Sequence, residues 1–198
     1  RGQPLGSFFL YEVNGIDDRG QFVYEDTNND GEINEEDRRF FGSFIPSFTS
    51  ALNLKVTYKK FDFNLDTYGS FGNKVYNGKK AQRFGNENME QYVFNNRWTT
   101  ARPSNTTPRA SNNVPLSSNY FLESGDFFRI NNITLGYSFN SAKLKKIRLY
   151  ITAKNPLILK RFSGFTPELA GDPLGLAGIE LDAYPTLSSY FLGFNILF

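Results

Sequence analysis

Residues 26–37 read Asp-Thr-Asn-Asn-Asp-Gly-Glu-Ile-Asn-Glu-Glu-Asp, with side-chain oxygens at alternate positions Asp26, Asn28 and Asp30 ahead of a glycine. That order and spacing match an EF-hand-type calcium loop. Gly31 permits the sharp turn at the sixth position, and the Glu32 carbonyl, the Asn34 side chain (direct or through water) and Asp37 complete the ligand set. Ile33 is expected to tuck inward and brace the loop. Position twelve is Asp37 where such loops carry glutamate, which shortens the reach and weakens bidentate binding. The flanks, Gln21-Phe22-Val23-Tyr24 and Arg38-Arg39-Phe40-Phe41, are not a helix pair, so the expectation is an isolated, dockerin-like loop. Calcium there is structural, holding an exposed loop; the competing reading is an acidic Asn/Asp/Gly turn that matches the pattern by chance.

No other group of residues has the makings of a reaction centre, and the chain is not expected to be an enzyme. It has no Cys and no His, which removes thiolate nucleophiles, disulfides, zinc-type sites and the commonest general base. A hydrolase would need paired carboxylates or a Ser-Lys dyad, and neither stands out. Asp62 and Asp66 share one strand face and read as the lining of a water-filled space. Within Asn95-Asn96-Arg97-Trp98-Thr99, Arg97 and Trp98 are candidate substrate contacts, with Trp98 offering a face to a sugar ring. Aromatic anchoring of the loop is the plainer alternative. Lys143, Lys145 and Lys146 read as a solvated turn. With 22 Lys+Arg against 20 Asp+Glu, no broad attraction to nucleic acid is expected.

The elements that position these residues are strands. Phe48, Leu52, Leu54, Val56 and Tyr58 alternate with Thr49, Asn53, Lys55 and Thr57; after Lys59-Lys60, Phe61, Phe63 and Leu65 alternate with Asp62, Asn64 and Asp66 up to about Phe71. A short link between two such runs makes a hairpin. A second hairpin pairs the run from Phe127 to Phe139 with Ile147–Lys154 across residues 140–145. The last run sets Tyr190, Leu192, Phe194, Ile196 and Phe198 on one face, and Ser7 to Asn14 is a less regular sixth candidate. Three long hydrophilic segments, Gly15–Ser47, Gly72–Asp126 and Pro156–Leu187, separate the hairpins.

Loops that long count against strands in a compact soluble domain. Short turns on one side, long loops on the other and strands of about ten residues with one apolar face are the pattern of an outer-membrane β-barrel. The aromatic share, 17% within only 39% hydrophobic residues, fits, because only alternate strand residues would face lipid. A soluble β-sandwich is the rival, but it would have to bury faces bearing Asp62, Asp66, Arg148 and Lys154. No run of ~18 apolar residues is present, so a transmembrane helix is excluded. About six strands are too few to close a barrel, since single chains start at about eight. Arg1 to Leu5 carry no charged and apolar leader and read as the middle of a longer chain. The expectation is therefore an all-β antiparallel transmembrane barrel, of which residues 1–198 are the C-terminal portion of one domain.

Several pieces together resemble the C-terminal part of SusC/RagA-like TonB-dependent outer-membrane transporters of Bacteroidetes. They are Gly2-Gln3-Pro4-Leu5-Gly6-Ser7-Phe8-Phe9, the Asp/Asn/Gly loop followed by Gly42 and Pro46, Tyr58-Lys59-Lys60-Phe61-Asp62, and Arg97-Trp98-Thr99. The stretch Gly125-Asp126-Phe127-Phe128-Arg129-Ile130-Asn131-Asn132-Ile133-Thr134-Leu135-Gly136-Tyr137, then Asn155-Pro156-Leu157, Gly164-Phe165-Thr166-Pro167-Glu168 and Tyr184-Pro185 extend the likeness over essentially the whole chain. The resemblance implies a barrel of about 22 strands closed by a plug. It also implies a bacterial outer-membrane location, a SusD-like surface lipoprotein as partner, and oligosaccharide or peptide import energised through TonB by a region not present here. A passive pore or structural barrel, and a soluble calcium-binding β-sandwich module, remain the alternatives.

Overall fold

The computed structural model describes residues 2–83, 88–140, 145–169, 178–181 and 183–197. Among the described residues twelve strands run in chain order: β1 (Ser7–Leu10), β2 (Val13–Ile16), β3 (Phe22–Tyr24), β4 (Arg39–Ser43), β5 (Phe48–Tyr58), β6 (Phe61–Phe71), β7 (Lys74–Asn77), β8 (Leu122–Ser124), β9 (Phe127–Phe139), β10 (Lys146–Lys160), β11 (Ile179–Glu180) and β12 (Ser189–Leu197). Two short helices, α1 (Gly78–Gln82) and α2 (Gln91–Asn96), lie between β7 and β8. None of the described helices is long and apolar enough to cross a membrane. The chain divides into two compact units.

The unit of residues 46–73, 125–167 and 184–198 is a five-stranded antiparallel sheet in the order β12-β10-β9-β6-β5. Its strands are 9 to 15 residues long, which at a barrel tilt suffices to cross a bilayer. Strand partners share a face, so the register decides what each side presents. Leu54↔Leu65↔Ile133↔Ala153↔Tyr190 and Val56↔Phe63↔Leu135↔Ile151↔Leu192 are two rows of one apolar face. That face is exposed, with Leu192 at 85% and Ile151 at 54%. The opposite face carries Asp62, Asn64, Thr134, Arg148, Thr152 and Lys154.

Two sequence expectations are corrected here. The strand expected to end near Lys154 continues to Lys160, because a bulge after Lys154 absorbs Asn155 and Pro156, with Asn155 at φ 48°. A bulge is where a strand tolerates proline, since no ladder N–H is demanded of it. The sixth candidate, Ser7 to Asn14, does not join the sheet. It breaks into β1, paired with β4, and β2, paired with β3, while Tyr11 bridges Ser118. The sheet thus has five strands, not about six, and the described strands do not close. Phe198, expected in the last strand, and Lys143, expected in the turn, lie outside the described residues.

The second unit is built from what reads in sequence as loop: residues 1–45, 74–124 and 168–183. Small two- and three-stranded sheets, β1-β4, β2-β3 and β11-β7-β8, surround a core of Leu10, Tyr76 and Phe121, with Phe121 fully buried. Phe22 and Tyr120 pack on this core with ring centroids 4.7 Å apart. Lys79 Nζ lies 3.2 Å from Glu180 Oε1, and that carboxylate is fully buried. The long segments therefore have a hydrophobic interior of their own.

Candidate functional site

The Asp/Asn/Gly loop winds as its sequence expects. Asp26 accepts from the Asp30 N–H at 3.2 Å and the Gly31 N–H at 2.8 Å, and Asp30 accepts from the Glu32 N–H at 2.8 Å. Gly31 sits at φ 85°, a conformation glycine adopts without a Cβ clash. The Glu32 N–H and the Asn28 side chain hold the exposed Asp30 carboxyl below the usual carboxylate range. Asp37 behaves differently: it is buried, and its two oxygens accept from the Thr27 N–H at 2.7 Å and the Asn34 N–H at 2.8 Å. It closes the loop by capping the short 3-10 turn Glu35–Asp37, with Asn34 as the reciprocal cap. Ile33 does not tuck inward; it is 41% exposed. Among the described residues no group of three or more acidic side chains is arranged to hold a metal ion.

Arg97 and Trp98 follow α2. The Trp98 ring packs on Gly20, where an added Cβ would be 2.6 Å from it, and the Trp98 backbone N–H donates to the Thr107 carbonyl at 3.0 Å. Arg109 N–H in turn donates to Gly20 carbonyl at 2.9 Å. Trp98 thus ties two segments of the loop unit together, the anchoring role weighed above, and is half-buried. Two hollows open nearby. One of about 220 Å³ is lined by Gln21, Phe22, Tyr24, Arg109 and Asn113. The other, a narrow cleft of about 20 Å³, is lined by Lys80, Arg83, Glu90, Arg97, Arg109 and Tyr120. Lys80 Nζ sits 4.3 Å from the Tyr120 ring centre, and burial holds the lysine below its ordinary range. Burial likewise pushes Tyr120 up to about 12. Sequence reasoning missed Lys80, Arg109 and Tyr120, because residues 80, 109 and 120 meet only through the tertiary fold and share no spacing.

The polar face of the sheet carries a second constellation. Arg148 Nε donates to Asp62 Oδ1 at 2.8 Å, and the guanidinium's second nitrogen reaches Oδ2. Gly136 lies beneath the pair: a Cβ there would come within 2.4 Å of Asp62 Oδ1, so any larger residue would make the ion pair shift. Thr134 and Thr152 hydroxyls are 2.8 Å apart, and Asp66 accepts from Asn64 at 3.1 Å and Asn132 at 3.2 Å. Asp62 and Asp66 thus share one polar face, each held by side-chain partners. Toward the short turns a concavity of about 520 Å³ is lined by Lys55, Lys60, Asp62, Lys146 and Arg148.

Known proteins bear on these features. No protein-family model matches the chain. The chain is 28% identical over its whole length to the TonB-dependent receptor SusC of Bacteroides thetaiotaomicron, of which it covers 20%. It is 25% identical over its whole length to the TonB-dependent receptor P3 of Formosa agariphila, covering 22% of that protein. It is 30% identical over 90% of its length to the receptor P26 of the same organism, again covering 20%. The chain therefore spans about a fifth of the length of the curated relatives it matches. The solved RagAB peptide transporter superposes on 96% of the chain with a TM-score of 0.78 at 22% identity, the chain covering 22% of it. The RagAB peptide importer in an open-open state matches with a TM-score of 0.76 over 97% of the chain.

Proposed function

We propose that this chain, a SusC-like TonB-dependent receptor sequence, is the C-terminal part of an outer-membrane barrel that imports oligomeric nutrients. The observation that carries the reading is the five-stranded sheet: a continuous apolar face stands exposed while an ion pair and hydrogen-bonded amides and hydroxyls line the other side. A soluble sandwich would bury the apolar face against a second sheet. In lipid the same face is solvated by acyl chains, and the polar face looks into a water-filled lumen. The strand edges, intolerable in hydrocarbon, would pair with further strands of a larger barrel. The loop unit would be extracellular and would meet substrate and a SusD-like surface lipoprotein. The solved RagAB structures are of a peptide importer, which supports an oligomeric solute; peptide and oligosaccharide both fit.

The test is accumulation of a labelled oligomer by cells carrying the full-length receptor, with and without a functional TonB. Accumulation that needs both supports active import. Accumulation that persists without TonB identifies a passive pore and overturns the reading. Copurification of a surface lipoprotein with the intact receptor checks the partner.

A second proposal concerns the Asp/Asn/Gly loop. Its residue order, its winding about Gly31 and the carboxylates of Asp26 and Asp30 support occupation by calcium, with Asn28, the Glu32 carbonyl and Asn34 as further oxygen ligands. Extracellular sites of this kind hold calcium with dissociation constants of about 10⁻⁴–10⁻³ M. Calorimetry on the full-length receptor should show binding in that range, abolished in Asp30→Ala; no heat in the native receptor would leave the loop as a self-capped turn.

A further inference from the structure

Within the loop unit, the two hollows near Trp98 share Arg109, and each takes one ring of the tilted Phe22–Tyr120 pair as its wall. Their linings differ in kind. The larger, about 220 Å³, offers aromatic surface from Phe22 and Tyr24 with amides from Gln21 and Asn113, room for about one residue of an oligomer. The narrow cleft, about 20 Å³, holds little more than one oxygen-sized group. Among the described residues four cations, Lys80, Arg83, Arg97 and Arg109, line it, facing the carboxylate of Glu90 and that of Glu123, whose Oε1 lies 4.0 Å from Lys80 Nζ. Two of these cations, Lys80 and Arg97, are lowered by burial, so the cleft removes water from positive charge. A partly desolvated excess of cations favours an anion as its complement.

We propose that these hollows form a subsite for a carboxylate-bearing oligomer, the Phe22–Tyr24 hollow seating a neutral part and the cleft lined by Lys80, Arg97 and Arg109 taking a carboxylate oxygen. This rests on the import reading and adds a substrate class to it. Both acidic peptides and uronic-acid oligosaccharides carry the required group. Because exposed charges are screened by salt, the preference for acidic ligands weakens as ionic strength rises. Arg109 is the residue to probe, since its side chain is exposed and its removal leaves the core untouched.

The experiment is binding of four labelled probes to the purified full-length receptor: Ala-Glu-Glu-Ala, Ala-Gln-Gln-Ala, trigalacturonate and galactotriose. One acidic probe should bind at least about tenfold more tightly than its neutral counterpart at low salt. The arm that does so identifies the source as peptide or uronate. Arg109→Gln should remove most of the preference and Arg109→Lys retain it. Equal binding of acidic and neutral probes, binding of none of the four, or an undiminished preference in Arg109→Gln overturns the subsite. TonB-dependent uptake in cells is read separately. A receptor that imports without charge preference overturns the subsite alone; one that discriminates charge but moves no solute overturns the import reading alone.

Discussion

The five-stranded sheet and the loop unit use the same kinds of side chain in opposite ways. On the sheet, Leu52, Leu135, Ile151, Leu192 and Phe194 stand exposed in rows. In the loop unit, Leu10, Tyr76 and Phe121 turn inward, and even charges go under cover, as Lys79 and Glu180 do. Apolar area stabilises a fold only when something other than water covers it. The loop unit supplies its own cover from three distant segments, whereas the described part of the sheet leaves its apolar face open. The loop unit thus has an interior of its own, although sequence composition alone suggests only hydrophilic loops.

The comparison breaks most sharply on phenylalanine. In the full-length receptor, Phe121→Ala should destabilise the loop unit by about 3–5 kcal/mol, because it empties a fully buried site. Phe194→Ala, on the exposed face, should cost far less, since the ring is 67% exposed and its removal leaves no packed cavity behind. Local hydrogen exchange of residues 74–124 in detergent reads the first, and equal effects of the two changes would erase the distinction. Next in size is Ile151→Arg, a charge placed on the apolar face of β10, an interior strand of the sheet, which should cost about 2–4 kcal/mol if that position sits at mid-membrane depth. Heat-modifiable gel migration of outer-membrane fractions should show loss of the folded receptor. Thr49→Arg, on the opposite face of β5, should leave assembly intact; if both assemble equally, the apolar face is not the lipid face.

A smaller effect is expected at Gly136→Ala. The new methyl would displace the Asp62–Arg148 pair, whose side chains are 24% and 26% exposed. Losing a partly solvated pair of this kind costs on the order of 1 kcal/mol. A thermal melt in detergent should fall by a few degrees, and no change would mean that the ions rearrange freely. The gentlest test is alkaline pH. Burial raises Tyr120 from its ordinary 10 to about 12, so the folded state holds that proton more tightly than the unfolded one. The stability this contributes is full below pH 10 and declines as pH rises toward 12. Tyrosinate absorbance should show a late-titrating class lost in Tyr120→Phe, and a Tyr120 that ionises near 10 would place its ring in water.

Much of the sheet was legible in the residues. Phe48–Tyr58 and Phe61–Phe71 are the expected strands in full, because period-two alternation is local and one register satisfies every side chain. The continuation of β10 past Pro156 was hidden, since proline normally argues against a strand and only pairing with β9 reveals the bulge. Ser7 to Asn14 failed as a membrane strand for a related reason: its partners are β4, β3 and Ser118. The turn chemistry of Asp26, Asp30 and Gly31 was also readable, being set by residues two to five apart. The inward tuck of Ile33 was not.

What the sequence determined by itself is whatever depends on neighbours along the chain: which segments extend, which face of each is apolar, where an Asx-rich loop winds, and the absence of His and Cys chemistry. The tertiary structure alone decided that residues 11 and 118 meet, that Trp98 settles on Gly20, and that Lys80, Arg109 and Tyr120 surround one cleft. Such contacts join segments separated by tens of residues, where no periodicity records the partner. They form because burying Leu10, Tyr76 and Phe121 together removes more apolar surface from water than any one segment could hide alone.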